Sequence, residues 1–298
     1  MTLIHVSEEV RDALAARQPV VALETTLIAH GFPHPQGVAV GLASERRVRD
    51  AGAVPATVGV LDGRIRVGLT EDELHRFTPD ARKCGPRDLA AAAVQGAVGG
   101  TTVGGTVAVA RAVGIRFMGT GGLGGVHRGF PSPPDVSADL GELARSEVLV
   151  VSSGVKSLLD VPATSELLET LGIPVLGFRT DELPLFYAAR GGPPVSARVE
   201  SAADAARIAH AHWTLGRTAI LLGRPPVDSL DDVEPLIDRA LAEADAQGVR
   251  GQAVTPFVLA FLHRESGGRT ERANLELIAD NVALAGEVAV AYATLGAA

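Results

Sequence analysis

The segment Val148-Leu149-Val150-Val151-Ser152-Ser153-Gly154-Val155-Lys156-Ser157-Leu158-Leu159-Asp160 decides how this chain folds. Its first four residues form an aliphatic run of the length of a fully buried strand. Ser152-Ser153-Gly154 then supplies small, capping-type residues before a second apolar run that begins near Val155. The segment reads as a strand passing into a helix, with Lys156 in the helix's first turn. A strand feeding a helix is the unit of α/β folds, which gather their ligands at the carboxyl ends of strands. A positive charge in a helix's first turn opposes the macrodipole, so a lysine serving helix stability belongs at the other end.

The same alternation continues in both directions. Upstream, Ser7-Glu8-Glu9 caps a helix to about Arg17, and Pro19 to Leu23 is a buried strand that stops at Glu24. A carboxylate directly after an apolar strand, followed by Thr25-Thr26 and a turn-rich Ala29–Pro35, either caps a helix or points into a strand-end cleft. A helix over Gly37–Ala51 follows, and then Ala56–Val60, Asp62-Gly63 and Arg64–Gly68 give a β-hairpin signal. Further on, Ile115–Met118 is a strand, Asp135–Leu140 opens a helix to about Arg145, and Pro174–Phe178 and Ala219–Leu222 are strands. Helices are expected over Ala202–Leu215, Asp231–Ala246 and a long C-terminal stretch carrying Asn274 and Asn281 on one face. Arg190–Val195 looks like a flap. This order predicts an α/β protein of one domain spanning 1–298. Its architecture is a three-layer α/β/α sandwich around a central mixed, mainly parallel sheet.

Composition narrows the function. The net charge is −8 with basic residues dispersed, which leaves no footprint for nucleic acid and points to a small-molecule partner. The one cysteine, Cys84, excludes an internal disulfide and a cysteine-cluster metal site and suits a reducing cytoplasm. Met1–Arg17 has no signal-peptide apolar core. Leu89–Ala110 carries no charge over 22 residues, but Gly99-Gly100 and Gly104-Gly105 break it, so two packed helices rather than a membrane span are expected.

Of 27 basic residues only Lys83 and Lys156 are lysines. Arginine stays protonated, whereas lysine can lose its proton and attack a carbonyl carbon, so two positions stand apart from the rule that a plain charge is arginine. Lys83 sits in a loop with Arg82 and Arg87, a cluster that suits a bound anion and equally a solvated basic loop. The loop Gly119-Thr120-Gly121-Gly122-Leu123-Gly124-Gly125-Val126-His127-Arg128-Gly129 contains G-x-G-x-x-G, yet runs on into Pro131, Pro133 and Pro134 instead of a helix, which argues against a dinucleotide fingerprint. Its glycines let backbone N–H groups approach a ligand, with His127 and Arg128 as polar handles or ordinary loop residues. Asp135, Ser137 and Asp139 group oxygens that could hold a hard cation or simply cap a helix.

Taken together, Val21–Thr26, Ala53–Thr57, the glycine loop, Asp135–Leu140, Ser153–Asp160 and Thr255-Pro256-Phe257 resemble, almost end to end, the pseudouridine-5'-phosphate glycosidases. The resemblance implies cleavage of pseudouridine 5'-phosphate with water to uracil and ribose 5-phosphate, reversibly, in a manganese-dependent homotrimer. It implies Lys156 as the nucleophile on the anomeric carbon and Glu24 as the proton donor to a uracil carbon. It implies Asp135 as the Mn²⁺ ligand and Lys83, Val103, Thr120, His127, Ser137, Ala138, Asp139 and Asn274 as substrate-binding residues, with Asn281 a rival to Asn274. Thr25 stands where many members have serine. Two other readings remain: a two-carboxylate N-glycoside hydrolase using Glu24 and Asp139, and a non-catalytic phosphosugar-binding homologue.

Overall fold

The structure is a computed structural model that describes residues 2–295 apart from 132–133, 217 and 231, so Pro133 and Asp231 lie outside the described residues. Among the described residues one sheet contains eleven strands: β1 (Ile4–Val6), β2 (Val20–Glu24), β3 (Val54–Leu61), β4 (Arg64–Val67), β5 (Arg82–Cys84), β6 (Gly99–Thr101), β7 (Phe117–Gly119), β8 (Leu149–Ser152), β9 (Val175–Phe178), β10 (Ala197–Val199) and β11 (Ile220–Gly223). The helices are α1 (Glu8–Ala15), α2 (Gln36–Asp50), α3 (Glu71–Leu74), α4 (Leu89–Val94), α5 (Val103–Val113), α6 (Ala138–Leu143), α7 (Val161–Thr170), α8 (Ala202–Leu215), α9 (Glu234–Ala246), α10 (Val254–Glu265) and α11 (Arg269–Leu295).

The sheet runs β1-β4-β3-β2-β7-β8-β11-β9-β10, with β6 paired to β3 and β5 to β6. Among the described strand pairs, the β3–β4 hairpin and the β3–β6 pair are antiparallel and the others parallel. Every residue of β2, β8 and β11 is buried, and because alternate side chains point to opposite faces, both faces of the sheet's centre must be covered. Right-handed crossovers explain how. The chain moves one way from β2 through α2 to β3 and the other way through α5 to β7 and α6 to β8, which sends α2 to one face and α5 and α6 to the other. The α2 face is completed by α11, which packs between α2 and α8. Phe117 meets the Tyr292 and Trp213 rings there, at centroid distances of 5.3 and 6.1 Å. The layers are those expected from the alternation of strands and helices.

The two outward paths diverge between β2 and β7. That is the topological switch point of the sheet, where a crevice opens beyond the strand ends.

Local readings differ in three places. The uncharged run over 89–110 holds α4 and most of α5 but also the intervening β6, because Gly99 and Gly100 bring β6 close enough to pair with Val60 and Gly59. Lys83 lies not in a loop but on β5, paired opposite Gly100. Lys156 is not in a helix. α7 begins only at Val161, where Asp160 accepts from Ala163 N–H at 3.0 Å and Pro162 occupies the first turn. Residues 153–160 form an irregular segment of isolated bridges and a turn at 157–158 instead, because the glycine loop takes many of their backbone groups. Ser153 N–H donates to Gly121 O (2.9 Å), Leu123 N–H to Gly154 O (2.9 Å), Lys156 N–H to Leu123 O (3.1 Å) and Asp160 N–H to Val126 O (2.8 Å). Gly154, at φ +73°, packs against the Pro184 carbonyl where no side chain fits.

α11 has the length and mean hydropathy (1.3) of a membrane span, but half of that apolar window is buried inside the protein. The segment 190–195 is tied down by Leu183 N–H to Pro193 O (2.8 Å) and Val195 N–H to Asp181 O (3.0 Å).

Candidate active site

The register of β2, β7 and β8 builds the centre of the site. Ala22 pairs with Met118 and Gly119 with Val151, so Glu24, Thr120 and Ser152 fall in one row at the carboxyl ends of three adjacent strands. The Thr120 hydroxyl donates a short hydrogen bond to Glu24 Oε1. Beyond the row, the glycine loop and residues 153–160 run side by side and present Lys156. A cavity of about 420 Å³ occupies this crevice, a size suited to a small ligand. Glu24, Lys83, Val103, Thr120, His127, Asp135, Ser137, Ala138, Asp139, Lys156 and Asn274, the eleven residues singled out from sequence, all line it. The two lysines therefore open onto one space.

Glu24 is buried, and the loss of water pushes its carboxyl above the ordinary carboxylate range; nearby Lys156 and the Thr120 hydroxyl pull the other way. A carboxylic acid that retains its proton toward neutral pH can serve as a proton donor. The next two residues secure the far wall. The Thr25 hydroxyl donates to Val58 O (2.7 Å) and accepts from Thr101 N–H (2.9 Å), while Thr26 Oγ1 donates to Gly100 O (3.1 Å). These bonds fix β6, and through it β5 and Lys83. Burial, then the neighbouring Lys156, push the Lys83 ammonium down to about 8.

Asp139 has a different setting. It lies in the first turn of α6, where Ser137 Oγ accepts its N–H at 3.2 Å. Its Oδ1 accepts from Gly104 N–H (2.7 Å) in the first turn of α5, and its Oδ2 from Gly124 N–H (3.0 Å) in the glycine loop. A Cβ at Gly124 would stand 2.6 Å from that Oδ2, so only glycine allows the loop this close. One carboxylate thus ties α5, α6 and the loop together. Thr102 caps α5 by accepting from Gly105 N–H at 3.2 Å, and the α5 N-terminus with Val103 faces the cavity, a setting for an anion.

At the rim, His127 Nδ1 lies 3.8 Å from Asp135 Oδ2; burial lowers the His127 imidazole below its usual range while Asp135 opposes that shift. Asp135 is partly exposed, and among the described residues there is no group of three His, Cys, Asp or Glu side chains that could cage a metal. That donor set fits a hard divalent ion keeping most of its waters, and not one needing a full protein shell.

The structure separates the two asparagines. Asn274 lines the cavity, whereas Asn281 Nδ2 donates to Thr120 O (2.9 Å) and Ser153 Oγ (3.1 Å) and locks the ends of β7 and β8. Arg128 turns out of the cavity. Of the basic loop, Arg87 reaches the rim while Arg82 donates to Gln95 (2.9 Å).

Several lining residues carried no sequence signal. Leu27–Gly31, which overlap the turn-rich Ala29–Pro35, form a π-helical turn that brings Leu27 and His30 to the wall, with His30 Nε2 2.9 Å from Ala81 O. Phe186 has a left-handed backbone (φ +66°), held by its N–H to Ser153 O at 2.9 Å, and its ring packs where a Cβ on Gly122 would come within 2.6 Å. Thr255, Pro256 and Leu259 of α10 close the far side. The motif Thr255-Pro256-Phe257 was the available clue to that wall.

Fold and cavity together define an α/β enzyme whose site, at the switch point of a mainly parallel sheet, joins two lysines to a desolvated glutamate. The chain belongs to the indigoidine synthase A like protein family, whose model matches residues 9–291. It is 47% identical over 298 residues to a pseudouridine-5'-phosphate glycosidase of Myxococcus xanthus (strain DK1622), covering 97% of this chain and 98% of that one. It is also 47% identical to the pseudouridine-5'-phosphate glycosidase of Herpetosiphon aurantiacus, covering 98% of both. Among solved structures it superposes with a TM-score of 0.90 on the prealnumycin C-glycosynthase AlnA in complex with ribulose 5-phosphate (39% identity, 100% and 99% covered). With an indigoidine synthase A-like protein from Thermotoga maritima the TM-score is 0.86 (36% identity, 97% of both chains covered).

Proposed function

We propose that this enzyme cleaves the carbon–carbon glycosidic bond of pseudouridine 5'-phosphate with water, giving uracil and ribose 5-phosphate, and that it runs the reaction in both directions. The observation that carries the reading is the convergence of Lys156 and a buried Glu24, its pKa raised by desolvation, in one cavity, in a chain so close to relatives named for this activity. The ribulose 5-phosphate bound by AlnA supports a pentose phosphate as the cavity's occupant.

A base joined to ribose through carbon offers no leaving oxygen or nitrogen to protonate, so a ring carbon must take the proton. In the proposed sequence Lys156 Nζ forms a bond to the anomeric carbon as the ring oxygen leaves it as a hydroxyl. Glu24 then protonates the uracil carbon that bears the sugar. The nitrogen lone pair forms a carbon–nitrogen double bond as the carbon–carbon bond breaks, uracil departs with the new C–H bond, and water hydrolyses the imine to ribose 5-phosphate and free Lys156. Lys83, the α5 N-terminus at Val103, Ser137 and Ala138 are the groups for the phosphate end, and Thr120, His127, Asp139 and Asn274 shape the rest. Asp135 would hold Mn²⁺ with water completing its shell, and the ion would supply positive charge at the rim. A homotrimer in the cytoplasm belongs to the same proposal.

The two-carboxylate alternative fits the geometry less well, since both oxygens of Asp139 are taken by backbone N–H groups. A turnover assay with and without Mn²⁺ decides between them. Release of uracil from pseudouridine 5'-phosphate but not from uridine 5'-phosphate is expected, and the reverse preference would overturn the proposal.

A further inference from the structure

The loop that carries Lys156 is held by the glycine loop on one side, and a second grip on it comes from Arg128. Arg128 directly follows His127 of the cavity rim, yet its guanidinium points away from the cavity. Nη2 donates to Ser157 O at 2.7 Å and Nε to Leu159 O at 3.4 Å. The same group meets Glu234 Oε1 at 2.7 Å through Nη2 and Asp238 Oδ1 at 3.0 Å through Nη1. Glu234 and Asp238 are one turn apart on α9 and so share a face. Their side chains are largely exposed, so each ion pair alone adds little stability. Ser157 and Leu159, by contrast, are buried, so a lost hydrogen bond to their carbonyls costs more than a lost surface ion pair.

A planar guanidinium can satisfy two carbonyls along one part of its fork and two carboxylates along another, which an ammonium cannot. The carbonyls it grips follow Lys156 by one and three residues, and Lys156 O itself accepts from Leu159 N–H at 3.0 Å. The turn behind the lysine is thereby fixed from within by that bond and from behind by Arg128. A displacement of about 1 Å in a reacting group costs on the order of a hundredfold in rate.

We infer that Arg128 is a positioning residue that clamps the 157–159 carbonyls against α9 and so aims Lys156 at the substrate's anomeric carbon. The direction of that aim rests on the reading given above; the clamp does not. The test uses the full chain. Wild type is first assayed on pseudouridine 5'-phosphate, and a failure there strikes the proposed function while leaving the clamp to be judged by amide hydrogen exchange. In Arg128→Ala, exchange over 154–160 speeds up by about tenfold with β8 unchanged. In the same variant kcat falls by about thirtyfold with KM within about twofold, since the phosphate and base contacts remain. Arg128→Lys recovers only a small part of either, and the double variant Glu234→Gln/Asp238→Asn shifts both in the same direction by about threefold. If Arg128→Ala does not fold, the double variant carries the same test. Wild-type kcat with unchanged exchange overturns the inference. So does a rise in KM alone, which marks a substrate contact, or exchange that speeds up evenly across the sheet, which marks plain stabilisation.

Discussion

Two buried carboxylates line one cavity, and their surroundings are unlike. Glu24 ends a central strand, and its burial raises the carboxyl's pKa against the opposing pull of Lys156 and the Thr120 hydroxyl. Asp139 starts a helix, and each of its oxygens accepts a backbone N–H from a different segment. The contrast assigns different work to the same functional group. A carboxyl that must give up and regain a proton needs an environment that tolerates both states, whereas one fully engaged by fixed donors is an architectural tie. Position in the chain put both residues at the ends of elements, and only the family resemblance gave them different roles, because the physical difference lies in contacts made across 96 residues in one case and 35 in the other.

The largest effect expected on this account lies at Lys156, which lines the same cavity. Lys156→Ala should leave a folded protein whose release of uracil is lower by about 10³-fold or more in a steady-state assay. Next, Glu24→Gln should lower kcat by about 10²- to 10⁴-fold with little change in melting temperature. Asp139→Ala should separate the two carboxylates in the opposite sense. Removing the acceptor for two buried N–H groups costs about 3 kcal/mol, read as a lowered denaturation midpoint. Equal loss of stability in the Glu24 and Asp139 variants would erase the comparison.

Smaller effects concern pH. The Thr120 hydroxyl lowers the Glu24 pKa, so Thr120→Val should raise it further. Glu24 must carry its proton to act, so activity that declines as pH rises should decline later in that variant. Lys83 titrates at about 8 and binds anions only when protonated, so KM should climb above that pH in wild type. Lys83→Gln should show a raised KM without that alkaline climb.

Much of the architecture was legible in the sequence because it rests on local signals. The aliphatic runs of β2, β8 and β11 and the Ser7 cap of α1 are set by residues within a few positions of one another. The short strands β1, β5, β6 and β10 were not legible, since three residues such as Gly99-Gly100-Thr101 become a strand only beside a partner. The loop around Lys156 shows the same limit. Val155, Leu158 and Leu159 have helical spacing, but the glycine loop, far upstream in the chain, takes the backbone groups of Ser153, Gly154, Lys156 and Asp160 around them. The cavity residues were recognised as motifs; their placement on adjoining strand ends came from the sheet order.

The central claim is that Lys156 forms a covalent bond to the sugar. Incubating the enzyme with pseudouridine 5'-phosphate, reducing with borohydride and mapping peptides by mass spectrometry tests it directly. The account predicts a reduced pentose phosphate on Lys156 and none on Lys83. An enzyme that turns over fully while leaving Lys156 unmodified under borohydride, or that carries the adduct on another residue, would contradict it.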